Sequence, residues 1–128
     1  MILPAVSIRQ PWPWAILHAG KDVENRSWPL PKKYINKPIL LHASKRIDKE
    51  AVIHLLHLGF KVPEKMEIGG IVGVTAFSTS GFCGGCEWAE FDMHHWVIDR
   101  ERTKPLPFFP CRGRLGFFQV DYPHKVEA

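Results

Sequence analysis

The sequence is poor in cysteine and contains no long hydrophobic stretch. Only 3 of its 128 residues are cysteines, and this small, odd number favours a reducing compartment over a disulfide scaffold. No apolar run approaches the roughly 20 residues that a membrane-spanning helix requires. Residues 1–14 include an arginine, a glutamine and three prolines, so they resemble neither a signal peptide nor a transit peptide. We therefore expect a cytoplasmic protein that makes no contact with a membrane.

Other common signatures are also missing. The sequence has no internal repeat and no low-complexity tract, and no motif resembles a phosphate-binding P-loop or a dinucleotide fingerprint. Apolar residues make up 45% of the chain and charged residues 23%, which is typical of a globular protein rather than of a disordered one. Residues 1–128 should form a single domain that buries about two thirds of its unfolded surface, and we expect no bound cofactor.

Positive charge is concentrated in one segment of the chain, although the formal net charge is only +4. Residues 21–49 hold eight basic side chains against three acidic ones, whereas residues 83–99 hold four acidic side chains and no lysine or arginine. A surface polarised in this way attracts polyanions to its basic side. On charge alone, a solvated basic face without a partner is the alternative.

The hydrophobic pattern predicts an α+β domain. Asp48 is a favourable N-cap for a helix that Gly59 closes, and Pro11 suits the first turn of a shorter helix that ends at Gly20. Strands are predicted at residues 5–8, 22–26, 38–43, 68–77, 96–99 and 114–120. Loops are predicted at residues 28–38, at the Gly- and Cys-rich segment 78–95 and at the proline-rich segment 104–110. This order fits a strongly curved sheet or a small barrel.

Five short sequence blocks resemble those of a known protein family, a likeness that composition and periodicity do not show. They are Ser7-Ile8-Arg9-Gln10-Pro11-Trp12, Gly20-Lys21-Asp22-Val23-Glu24-Asn25-Arg26-Ser27-Trp28, Leu41-His42-Ala43-Ser44-Lys45, Ile68-Gly69-Gly70-Ile71-Val72-Gly73 and Pro110-Cys111-Arg112-Gly113-Arg114-Leu115-Gly116. Together they cover nearly the whole chain, and in this order they closely resemble the activating signal cointegrator-1 homology (ASCH) family.

The resemblance implies a fold and two classes of function. The fold is PUA-like, a small β-barrel with helices that flank a cleft. Members of the family are linked to binding of RNA or other nucleic acids, and a few small bacterial members are enzymes. One such group hydrolyses the acyl amide of N4-acetylcytidine, and another member resembles a ribonuclease. Because one fold hosts many reactions, the resemblance implies the fold more firmly than the activity.

Three charged residues are the first candidates for a binding site. Alternate residues of a strand face the same side, so Glu24 and Arg26 should be neighbours, with Lys21 where the helix turns into the strand. Lys21 and Arg26 could hold a phosphate while Glu24 accepts a hydrogen bond from a base amino group, as a carboxylate does from cytosine. The alternative is an ion-paired cluster that only fixes a corner of the fold.

Further candidates surround this charged group. Trp12 could stack on an unpaired base or pack in the core, and Gln10 could bond a base edge or satisfy the local backbone. Lys45 should add to a positive rim, and Arg112 lies in a basic turn that could follow a nucleic-acid backbone or form a solvent-facing hairpin. We interpret His42 as structural. The predicted partner is therefore RNA or another single-stranded nucleic acid, including one modified or flipped base or a modified nucleoside, held in a basic cleft.

An enzyme is the alternative to a binding module. The resemblance places the essential lysine of the N4-acetylcytidine amidohydrolases on Lys21, but their catalytic threonine falls on Glu24, and Thr75 stands near the position of their glutamate. Because the hydroxyl nucleophile is missing there, binding is favoured over turnover. In an enzyme, Lys21 could donate a proton or stabilise an oxyanion, and Glu24 could orient a water. A ribonuclease is a further alternative, and a protein-interaction adaptor is a third class.

Cys83 and Cys86 form a C-x-x-C pair with the spacing of a zinc knuckle. His94, His95 or Cys111 could complete a set of four ligands, and a redox pair is a second alternative. A lone C-x-x-C is a weak signal, and the family does not require a metal. We therefore expect two ordinary loop thiols and no metal site.

Overall fold

The chain folds as an α+β domain with two β-sheets. The computed structural model describes residues 1–127, and no helix among them is long and apolar enough to cross a membrane. In chain order the elements are β1 (Ile2–Gln10), α1 (Trp12–His18), β2 (Val23–Arg26), β3 (Ile39–Ile47), α2 (Lys49–His57), β4 (Gly70–Thr75), β5 (Phe77–Gly81), β6 (His94–Ile98), β7 (Lys104–Pro110) and β8 (Phe117–Asp121). Short 3-10 turns lie at Lys32–Tyr34 and Arg100–Arg102.

The larger sheet has five strands in the order β7-β4-β3-β1-β8. Its central pair, β1 and β3, is parallel, and the other neighbours are antiparallel. Strands covered on both faces are apolar on both faces, and β3 is buried at five successive positions, residues 39–43. One face of the sheet packs a cluster that contains Ala5, Leu40 and Phe118, and the opposite face packs one that contains Val6 and Leu41.

The smaller sheet has three strands in the order β2-β6-β5 and covers one face of the larger sheet. Its Trp96 is fully buried in the cluster with Val6 and Leu41, so this core fills the space between the two sheets. Strand β4 runs almost directly into β5 through Ala76, and the chain passes there from the larger sheet to the smaller. Within residues 1–127, the described strand pairing does not close either sheet on itself.

The predicted helix ends are confirmed. The Asp48 side chain accepts a hydrogen bond from the backbone N–H of Ala51, which satisfies one of the free donors at the start of α2. Gly20 follows α1 with a φ of 75°, in the left-handed region that glycine adopts without steric cost.

Two loop predictions were wrong. Residues 104–110 form strand β7 at the edge of the larger sheet, where three prolines are tolerated because one side of an edge strand needs no backbone donors. The segment after Phe77 continues as β5, although its sequence Phe-Ser-Thr-Ser-Gly carries little hydrophobic signal. Antiparallel pairing with β6 stabilises this strand, and a local sequence pattern does not reveal such a partner.

Candidate functional site

A large cleft opens beside β1 and β3, where residues 110–116 pass over these strands. Its volume is about 1240 Å³. Strand β1 supplies Ser7 and Arg9, and strand β3 supplies His42 and Lys45. The segment 110–116, which links β7 to β8, forms the opposite wall. The sheet therefore brings together residues that are far apart in the sequence.

The rim of this cleft is strongly basic. Six cationic side chains line it, and Glu24 is the one carboxylate among its described lining residues. Five of the cations are exposed and form no ion pair within residues 1–127; this set, called the rim cations below, comprises Arg9, Lys45, Arg46, Arg112 and Arg114. Because no described carboxylate neutralises them, they favour an anionic ligand.

The predicted group Lys21, Glu24 and Arg26 is a buried ion-paired cluster. Lys21 Nζ lies 3.3 Å from Glu24 Oε1, and Arg26 Nε lies 3.0 Å from Glu24 Oε2. Lys21 and Glu24 are only 3% and 4% exposed, so water does not solvate their charges. Each charge is stabilised by its ion-pair partner instead. The alternate spacing of β2 did predict that Glu24 and Arg26 would be neighbours.

This cluster does not open into the basic cleft as a whole. Glu24 and Arg26 line the cleft, whereas Lys21 lines a second cavity that shares Trp12 with it. Arg26 is half-buried, and its Nη2 donates to the backbone carbonyl of Ser7 at 3.2 Å. Of the three charged residues, Arg26 is therefore the one that combines solvent access with a position in the cleft.

Trp12 lines both cavities, as does Asn25. Its ring lies 4.1 Å from Lys21 Nζ, which is a close cation–π contact. The side chain is half-buried and packs against the core between the sheets. One part of Trp12 therefore packs inward while another faces the cleft, and stacking on a base stays a prediction.

Gln10 is buried and takes no part in the lining of either cavity. Its side-chain carbonyl accepts from the backbone N–H of Trp14 at 3.0 Å, and its amide donates to the carbonyl of Glu67 at 2.9 Å. Both ends of the side chain are therefore satisfied within the protein. This geometry favours the local structural role over contact with a base.

The second cavity has a volume of about 330 Å³, at the lower end of the range for small-molecule sites. Aromatic rings of Trp12, Phe60 and Trp88 form part of its wall, and its charged lining residues are Lys21, Glu87 and Glu90. Its volume is sufficient for one small molecule.

Ser7 and Gly113 are the site residues that sequence analysis missed as functional, and they meet His42 at the cleft. Ser7 Oγ lies 2.9 Å from His42 Nδ1. A Cβ placed on Gly113 would lie 2.7 Å from the His42 ring and 3.0 Å from Ser7 Oγ, so only glycine allows this approach. The sequence signal was weak, because 35 residues separate Ser7 from His42 and only the parallel pairing of β1 with β3 brings them together.

The cysteine pair corrects the expectation of free loop thiols. Cys83 and Cys86 form a disulfide, with their Cα atoms 5.5 Å apart, a normal separation for such a bond. His95 is occupied locally, because its ring nitrogens bond the N–H of Cys83 and the carbonyl of Glu90. Cys111 is a free thiol in the basic cleft, and among residues 1–127 no group of three metal-ligating side chains is arranged to hold an ion.

The environment of Cys111 disfavours its thiolate. Desolvation by the surrounding protein raises the pKa of the thiol above its ordinary value of 9.0, and a backbone hydrogen bond from Ile71 offsets only part of this effect. At neutral pH, Cys111 is therefore a neutral thiol.

No family model matches the chain, and no curated protein matches it. The function therefore has to be inferred from the residues of the two cavities.

Proposed function

We propose that the chain is an ASCH domain with a PUA-like fold and that it binds RNA or another single-stranded nucleic acid in the basic cleft. The observation that carries this proposal is the set of five rim cations around a cleft of about 1240 Å³. Phosphate groups supply most of the affinity in such complexes, and they are recognised by arginine and lysine side chains.

The path of the chain supports the PUA-like part of the proposal. The passage from β4 to β5 through Ala76 carries one nearly continuous segment from the larger sheet to the smaller, as strands do at the corners of small barrels. The two sheets share one core around Trp96. Helix α1 packs on β1, β3 and β4, so it flanks the larger sheet, as the helices of a PUA-like fold flank its strands.

The arrangement suggests separate roles for the cleft residues. Arg112 and Lys45, on opposite walls, would hold successive phosphates, and the exposed part of Trp12 would stack on a base. Arg26 would contact the nucleic acid from the floor of the cleft. Glu24 would orient Arg26 rather than meet a base, because both of its oxygens already accept hydrogen bonds from Lys21 and Arg26.

The test is fluorescence anisotropy of labelled single-stranded RNA with the purified chain across a salt series. Single-strand binding loses affinity with a log–log slope of about −0.7 for each phosphate neutralised. Two to four contacts would give a slope between about −1.4 and −2.8. Arg112→Ala should weaken binding and make this slope less steep by about 0.7, because it removes one contact.

Lys104→Ala is the matched control. Lys104 is exposed and begins β7, whereas the cleft meets the other end of this strand at Pro110, about 20 Å away at roughly 3.3 Å per residue. Its loss should leave both the affinity and the salt slope unchanged. A flat titration at low salt, or equal effects of the two substitutions, would refute the proposal.

A hydrolase acting on a modified nucleoside is the second candidate, favoured by the contact of Lys21 with the cavity of about 330 Å³. The amidohydrolase mechanism receives less support, since Lys21 is paired with Glu24 and the Thr75 hydroxyl is buried against Thr103 at 2.7 Å. Incubation with N4-acetylcytidine tests this candidate. Release of acetate that Lys21→Met abolishes would favour it, and no release would exclude that substrate.

A further inference from the structure

A serine and a histidine are hydrogen-bonded to each other in the basic cleft. Ser7 and His42 are direct partners in the parallel register of β1 and β3, so their side chains point to the same face of the sheet. Ser7 Oγ lies 2.9 Å from His42 Nδ1, and His42 Nε2 lies 2.8 Å from the backbone carbonyl oxygen of Cys111. Ser7 is half-buried, and both residues line the cleft.

The partners of His42 define its tautomer. A carbonyl oxygen can only accept a hydrogen bond, so Nε2 must carry the proton that points to Cys111. In a neutral imidazole, Nδ1 is then the acceptor, and the hydroxyl of Ser7 donates to it. This is the arrangement that a serine nucleophile needs: a base accepts its proton while a third group orients that base.

The His42 ring is held on its other sides as well. Phe118 packs edge-to-face against it, with ring centroids 5.6 Å apart, and the backbone of Gly113 approaches closely. His42 is only 2% exposed, so bulk water does not compete for its hydrogen bonds. A base fixed in this way does not have to be oriented when a substrate binds.

We propose that Ser7 is a nucleophile, that His42 is its general base, and that the basic cleft hydrolyses carboxylic esters that carry a negative charge. This inference goes beyond the proposed function, because it assigns a reaction to a cleft for which only binding is proposed above. It uses neither Lys21 nor the second cavity.

The reaction has two balanced steps. Ser7 Oγ attacks the ester carbonyl carbon, the hydroxyl proton passes to His42 Nδ1, and the tetrahedral intermediate expels the alcohol, which takes this proton from His42. The result is an acyl-serine. A water molecule then attacks the acyl carbon and gives a proton to His42, the bond to Ser7 Oγ breaks, and Oγ recovers the proton as the carboxylic acid leaves.

Charges around the pair support this substrate class. The Cys111 carbonyl accepts from Nε2 and so stabilises the imidazolium that forms transiently. Arg26 donates from its Nε to Glu24 and from its Nη2 to the backbone carbonyl of Ser7. Its other N–H groups have no described partner, so they are available as donors to an anionic substrate. The rim cations attract the negative charge of the substrate.

The experiment that tests the proposal is labelling of the full chain with a fluorophosphonate probe. Ser7 Oγ should displace fluoride from phosphorus, and the adduct should appear on the tryptic peptide Met1–Arg9. Ser7 is the only serine in this peptide, which contains no threonine, tyrosine or cysteine. The position of the adduct is therefore unambiguous, and the result does not depend on the folding of a variant.

Two variants and a control sharpen the result. Ser7→Ala should abolish labelling of this peptide, and His42→Gln should slow it by about 100-fold or more, the usual contribution of a general base. Ser44→Ala is the matched control: Ser44 is also on β3 and half-buried, but its hydroxyl accepts from the backbone N–H of Arg46 and has no histidine partner. Its substitution should leave the labelling rate unchanged within about twofold, since it removes no group that acts on Ser7.

Turnover tests the substrate class. Mono-p-nitrophenyl terephthalate, whose carboxylate cannot reach its own ester, should be hydrolysed with a kcat/KM at least about tenfold above that of p-nitrophenyl benzoate at low salt. Absence of an adduct on the peptide Met1–Arg9, or labelling that His42→Gln leaves unchanged, would overturn the proposal, and equal rates for the two esters would overturn its substrate class. These assays contain no RNA, so their failure is distinguishable from failure of RNA binding.

Discussion

The protein carries positive charge in two contrasting ways. Lys21 is buried and paired with Glu24, whereas the rim cations are exposed and form no ion pair within residues 1–127. Burial of an ion is costly unless a partner of opposite charge compensates it. The charge of Lys21 is therefore used to pair with Glu24 and is not available to a ligand. The rim cations cost little in water and are available to a ligand. Arg26 is intermediate between the two groups, because it is half-buried and pairs with Glu24 but still lines the cleft.

The contrast shows why charge in a sequence is an incomplete guide to binding. Lys21 and Arg112 are both basic residues that the sequence analysis named as binding candidates, but only Arg112 is exposed in the cleft. The difference lies in Glu24, whose two oxygens satisfy one cation each. Positioning Arg26 is therefore the contribution of the buried cluster to the site.

The largest change in stability is expected when the carboxylate of Glu24, which Lys21 and Arg26 share, is removed. Glu24→Gln leaves the buried ammonium of Lys21 without a counter-charge, so the free energy of unfolding should fall by about 3–5 kcal/mol. Lys21→Met should cost less, about 1–3 kcal/mol, because Glu24 keeps its pairing with Arg26 and loses only one donor. Urea denaturation of both variants measures the two values.

The order of the two losses is the informative result. If Lys21→Met costs as much as Glu24→Gln, the carboxylate does not depend on Arg26, and the cluster is not shared as described. Arg112→Gln is the control for a cation outside the cluster, and its unfolding free energy should stay within about 0.5 kcal/mol of that of the wild type.

A smaller effect is expected at Gly113, where the basic wall of the cleft touches the buried interior. Gly113→Ala would place a methyl group 2.7 Å from the His42 ring, and this overpacking should cost about 1–3 kcal/mol of unfolding free energy. Gly81→Ala is the matched control, because no atom lies within 4 Å of the added Cβ. Thermal unfolding compares the two, and an equal, small shift for both would show that the segment 110–116 can move away from His42.

Local features of the fold could be predicted from the sequence because their partners are near in the chain. The Asp48 cap reaches three residues ahead, and the pair of Glu24 with Arg26 follows from the alternation of one strand. The proline-rich β7 could not be predicted in this way. Within a sheet, proline is mostly confined to edge strands, strand starts and bulges, and whether a strand lies at an edge depends on the whole topology.

The candidate site shows the same limit. Lys45 and Arg112 were predicted as cleft cations and do line the cleft, but the sequence did not show that Lys21 is buried away from it. The contact of Ser7 with His42 depends on parallel pairing across 35 residues, for which no local pattern exists. The disulfide was missed because C-x-x-C spacing alone also fits free thiols and metal ligands.

The smallest expected effect concerns Cys111, which lies between the exposed wall and the interior. Its raised pKa means that the folded state holds the thiol proton more firmly than the unfolded state does. Its contribution to stability is therefore complete below its ordinary pKa of 9.0, and it is lost as the pH rises through the higher pKa of the folded state. For the same reason, iodoacetamide at pH 8 should modify Cys111 more slowly in the folded protein than after unfolding in urea without reductant. Mass spectrometry should then find one modified thiol per chain, since Cys83 and Cys86 are joined; equal rates in both states would mean that the protein around Cys111 does not disfavour its thiolate.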